Sequence, residues 1–138
     1  MRLYIILLTL AWCPCLISAE TEKIPLKYQI DGYREFGSLS KKSSVEKSMK
    51  LAESDFKNGI YRIFVYGKRR LDDPEGKYLQ ERYAIYTVPI AGCMVTDGIL
   101  GAAEGYNQTM KTLLFNKFKK DVFEESRKNA VPVGPSNG

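Results

Sequence analysis

The side chains in this sequence that could do chemistry are a few carboxylates, a set of tyrosines and one cysteine that stands apart. Asp72, Asp73, Asp97 and Glu104 are the candidates for a carboxylate pair, and two carboxyl groups held at opposed pKa values are what acid–base hydrolysis requires. Asp97, Glu104 and Asn107 also belong to the unusual stretch from Ala91 to Asn107, which carries Gly98, Gly101 and Gly105. Each glycine costs a helix roughly 1 kcal/mol against alanine, so something must offset it. Close packing of one helix side does so, and so does a ligand or partner seated on the bare surface with Asp97, Glu104 and Asn107 as polar contacts. The same asparagine opens an Asn107-Gln108-Thr109 glycosylation pattern, but inside a stretch with helical spacing.

Tyr61, Tyr66, Tyr83 and Tyr86, with Tyr78 and Tyr106 nearby, enrich the middle of the chain in rings that carry a polar tip. Tyr66, near the end of one apolar run, and Tyr83, at the start of the next, are expected to share a sheet edge. That would form a platform for a carbohydrate or peptide. The chain has no histidine, which removes histidine-activated nucleophiles and histidine-ligated zinc. No cofactor or metal motif is present. Any acid–base work would fall to carboxylate, lysine or tyrosine.

The amino terminus sets the compartment. Met1 and Arg2 precede an uncharged apolar run, Leu3 to Ile17, followed by Ser18, Ala19 and the charged Glu20. This is the signal-peptide pattern, with cleavage expected after Ala19. Spanning a bilayer takes about 20 apolar residues, and this run is shorter and holds Pro14. Trp12 before Cys13 and Pro14 before Cys15 argue against a lipid-anchored cysteine. Cleavage removes both cysteines and leaves Cys93 alone, so the exported chain has no internal disulfide and must stand on its core. The apolar neighbours Ile90-Ala91-Gly92 and Met94-Val95 predict a buried, inert thiol. The other use for Cys93 is an intermolecular link.

Losing Arg2 lowers the net charge from +5 to +4. The charge alternates, Lys68-Arg69-Arg70 being answered at once by Asp72, Asp73 and Glu75. Nucleic-acid binders concentrate theirs, so nucleic acid is not an expected partner. The long apolar stretch from Ala84 to Ala103 is broken by Pro89 and Asp97, so no membrane span is expected after cleavage.

The elements that must position these residues follow from periodicity. Ile24, Leu26, Tyr28 and Ile30 alternate with polar residues or proline, predicting a strand over 24–30. Asp31-Gly32 then suggests a hairpin into a short strand, Tyr33 to Phe36. Ser43 or Ser44 can cap a helix over 44–57 with Val45, Met49, Ala52 and Phe56 on one face. Ile60 to Tyr66 and Tyr83 to Val88 read as strong strands, antiparallel across a charged loop with a turn at Asp73-Pro74-Glu75-Gly76. A long helix capped at Thr96 or Asp97 runs past Phe118 to Val122. These give a signal peptide over 1–19, one α+β domain over 20–129 and a Pro/Gly-rich tail over 130–138. The expected fold is an antiparallel sheet of three to four strands with two helices packed on one face, in the order β(β)αββα.

No motif specifies a reaction. One core, export and no catalytic set predict a small non-catalytic binding or interaction protein of the cell envelope, periplasmic or secreted. The alternatives are a carboxylate-based hydrolase and a structural subunit linked through Cys93.

Overall fold

The computed structural model describes residues 24–67 and 73–130. The expected signal peptide, the Lys68-Arg69-Arg70 run with Asp72, and most of the tail lie outside the described residues. A 3-10 turn at Leu26–Tyr28 leads to α1 (Gly32–Phe36) and α2 (Lys41–Lys57), then β1 (Tyr61–Tyr66), α3 (Pro74–Tyr83), β2 (Ile85–Ala91), α4 (Asp97–Phe118) and α5 (Val122–Asn129). The two strands run parallel, pairing from Tyr61 with Ile85 to Tyr66 with Ala91, with an irregularity after Val65, the residue opposite Pro89.

This overturns the expected antiparallel sheet of three to four strands. Among the described residues there are five α-helices and two parallel strands. The decisive element is α3. Asp73-Pro74-Glu75-Gly76 does not turn the chain back; it starts a helix with proline in its first turn, where the missing N–H costs nothing. A helical crossover returns the chain to the end it started from, so β2 lies parallel to β1. Ala84 ends α3 in the left-handed region, and β2 begins after it, two residues later than expected.

The segment 24–36 holds no strand. Pro25 opens a turn in which the Tyr28 N–H donates to its carbonyl at 2.9 Å, and Leu26 is 85% exposed, so the apolar alternation is not one buried face. Asp31 is not part of a hairpin; its side chain accepts from the Arg34 N–H at 3.1 Å and caps α1.

The helices hold with shifted ends. Ser40, not Ser43 or Ser44, caps α2, and Thr96 caps α4. The long helix stops at Lys119, and Asp121 starts α5 by accepting from the N–H groups of Phe123 and Glu124. The buried face of α2 is rotated from the expected one: Ser44, Ser48, Ala52 and Asp55 are buried and Met49 is exposed.

The glycines of α4 explain that choice. A Cβ on Gly98 would lie 2.0 Å from the Phe36 carbonyl oxygen, one on Gly101 2.4 Å from that of Lys41, and one on Gly105 2.5 Å from Ser48 Oγ. The bare side of α4 is therefore the side that α1 and α2 fill. On its other flanks Ile99, Tyr106, Met110 and Leu114 join Phe64, Ile85, Val88 and Val122 in the core.

Inside that core sits one charged pair. Arg62 on β1 donates to Asp55 Oδ2 from Nη2 (2.7 Å) and Nε (3.0 Å), and from Nη1 to the Tyr28 carbonyl (2.8 Å). The Tyr106 hydroxyl donates to the same Oδ2 at 2.6 Å. Burial and that hydrogen bond push the Tyr106 phenol far above its ordinary range. One cluster thus joins α2, β1, α4 and the 3-10 turn, with its donors and acceptors paired as burial demands.

Candidate functional site

Between the glycine side of α4 and its core side runs a strip that reaches solvent. Leu100, Glu104, Asn107 and Lys111 follow helical spacing along it, Lys41 approaches from the start of α2, and Tyr66 from the carboxyl end of β1. Together with Phe64 they line an open groove of about 550 Å³.

Its polar centre is the Lys41–Glu104 pair, Nζ to Oε2 2.9 Å, with both side chains more than half exposed. Glu104, through the hydrogen bond and then its charge, raises the Lys41 ammonium above its usual value. Partial burial, then the Glu104 charge, raises the Tyr66 phenol, which stays a neutral donor. The groove floor is fixed by Asn107, whose Nδ2 donates to the Phe64 carbonyl (2.9 Å) while its Oδ1 accepts from the Phe64 N–H (2.8 Å). A glycan on Asn107 would have to break that pairing.

Tyr66, Glu104 and Asn107, singled out from the sequence, therefore meet. Asp97, the first residue of α4, is exposed and close enough for its charge to act on Lys41. The other tyrosines lie elsewhere. Tyr61 accepts from Lys117 Nζ at 2.8 Å, and Tyr86 stacks on Tyr28 with ring centres 4.1 Å apart. Tyr83 belongs to α3. Tyr66 and Tyr83 do not share an edge because parallel strands put the end of β1 and the start of β2 at opposite ends of the sheet.

Among the described carboxylate candidates only Glu104 lines this groove, and Lys41 holds it. Asp73 sits at the start of α3, its Oδ2 2.4 Å from where a Cβ on Gly76 would be. The arrangement offers an ion pair, a phenol, an amide and an apolar wall for recognition. Among the described residues no group of three carboxylates or thiols could hold a metal ion, and no helix is long and apolar enough to cross a membrane.

Cys93 is exposed, against the expectation of burial. Its apolar neighbours Met94 and Val95 belong to the loop between β2 and α4, not to the core, and Met94 is 72% exposed.

Sequence reasoning missed Lys41, Leu100 and Lys111. The signal for the last two was present, since positions 100, 104, 107 and 111 repeat at helical spacing between the glycine side and the apolar side of the helix. It also missed Glu125, which α3 and α5 share. The hydroxyls of Tyr78 and Tyr83 donate to Glu125 Oε1 at 2.8 and 2.7 Å, and Lys120 Nζ lies 2.5 Å from Oε2. Lys120 first, then Tyr83 and Tyr78, lower the Glu125 carboxyl to about 2. A depressed carboxyl stabilises the fold above its unfolded value near 4.5, and that contribution disappears as pH falls from there to about 2. Glu125→Gln should therefore melt a few degrees below the parent at neutral pH, and the two melting curves should converge in acid. A gap that persists at pH 2 would show that the charge is not what matters.

No protein-family model matches the sequence, and no curated protein or solved structure matches it with significance.

Proposed function

We propose that the protein is a small exported interaction module that holds a protein partner in the α4 groove and performs no chemistry on it. The observation that carries this reading is the pairing of exposed apolar groups with a solvent-facing ion pair on rigid elements. Tyr66 is 45% and Leu100 41% exposed, and they flank Lys41 and Glu104. Aromatic anchors within a polar rim are the usual composition of a recognition patch. The position also fits, because ligands of open α/β sheets gather beyond the carboxyl ends of the strands, where Tyr66 lies.

Immobilised protein should retain a specific protein from an extract of the exported compartment, and Tyr66→Ala and Leu100→Asp should each abolish retention while leaving the circular dichroism unchanged. Equal retention by parent and variants, or none by either, would refute this role. Exposure of Cys93 favours a second reading, a structural subunit joined through that thiol. It requires a dimer on non-reducing gels that reductant converts to monomer.

A further inference from the structure

A second groove, of about 380 Å³, opens between the carboxyl half of α4 and α5. We propose that it docks an acidic peptide segment of a partner protein by means of one apolar side chain. Phe115, 53% exposed, forms one wall, the half-buried Phe123 the other, and Val122 the floor. An aromatic left that open on a helix packed at both ends is surface a partner can cover.

Cations surround it. Lys111 Nζ lies 5.3 Å from the centre of the Phe123 ring, Lys120 is committed to Glu125, and Arg127 completes the rim. Among the described residues neither Lys111 nor Arg127 is ion-paired. The lining has one carboxylate, Asp121, and both hydrogen bonds it accepts come from the N–H groups that open α5. The surplus is positive, so the complementary partner is acidic. A phosphate group is the poorer match. The backbone donors that would hold it at the start of α5 are already taken by Asp121, whereas the two rings lining the groove favour an apolar group. Guanidinium and ammonium groups at the rim are then placed for the flanking carboxylates.

Lys111 borders both grooves, but Phe115 and Arg127 line only this one, so its test is separate from that of the α4 groove. The probe is a fluorescein-labelled peptide of glutamates around a single tryptophan, titrated into the purified protein by anisotropy. Saturable binding is expected that weakens with salt and falls roughly tenfold or more with Arg127→Glu or Phe115→Ala. It should fall similarly when the tryptophan is replaced by serine, and remain unchanged with Tyr66→Ala. Both substituted residues are exposed, so the fold is retained, which circular dichroism checks. Binding that ignores Arg127→Glu and Phe115→Ala, or that is equal for the serine peptide, overturns the proposal. So does failure to bind the peptide alongside Arg127-dependent binding to phosphatidylglycerol vesicles, which would make this a membrane-facing patch.

Discussion

Replacing Asp55 with alanine is expected to cost about 3–5 kcal/mol, because it leaves the buried Arg62 without its counter-charge. Arg62 and Asp55 are both nearly inaccessible, and the single oxygen Asp55 Oδ2 accepts from both Arg62 and Tyr106. A domain of this kind has only about 5–15 kcal/mol in hand, so a large part of the population should unfold on mild heating. Tyr106→Phe is the informative comparison. It removes the hydrogen bond to Asp55 and the longer one the hydroxyl accepts from Arg62 Nε, and leaves the ion pair intact, so its cost should be about 1–2 kcal/mol. Removing both charges together, as Asp55→Leu with Arg62→Met, should recover much of what Asp55→Ala loses, since no unpaired charge then stays buried. Urea unfolding of the four proteins measures each value. If Asp55→Ala costs no more than Tyr106→Phe, the carboxylate is not the hub of this cluster.

The second large effect belongs to Gly98. By helix propensity alone, alanine there should stabilise by roughly 1 kcal/mol. Sterics oppose it: the new methyl would lie 2.0 Å from the Phe36 carbonyl oxygen and 2.7 Å from that of Leu39. Both are backbone atoms that no rotamer change can move aside. Overpacking of this kind costs about 1–3 kcal/mol or more, so the net change should be a loss, with α1 and α2 displaced from α4. Gly92→Ala serves as the control, since a Cβ there meets nothing within 4 Å. A Gly98→Ala protein more stable than its parent would mean that the helices are not in backbone contact.

These two sites show what the sequence could and could not carry. Local chemistry was readable: β1, α2 and α4 were found because β-branched runs and helical spacing are properties of neighbouring residues. The crossover was not. In α3 the only large buried apolar side chain is Leu79, and Tyr78 and Tyr83 turn toward Glu125, so no apolar stripe marked it as a helix. Reading that stretch as a loop reversed the strand direction and with it the expected edge shared by Tyr66 and Tyr83. The glycines of α4 signalled close approach, but which element approached depended on Ser44 and Ser48, buried residues that carry no apolar signal. In the site, Tyr66, Glu104 and Asn107 were legible as an unusual local composition. Lys41 was not, because its position depends on how α2 crosses α4.

The bond pair between Asn107 and Phe64 reaches beyond the native fold, to how this protein behaves when crowded. Tyr61 to Tyr66 is six residues of strongly β-forming sequence without proline, the kind of segment that stacks into fibrils when its edge is free. Among the described residues no third strand covers that edge. Here one side-chain amide uses both the N–H and the carbonyl of Phe64, the groups that an incoming copy would need at the middle of the strand. With Asn107 in place, the middle of that edge is already paired, and a strand added there would first have to displace its amide.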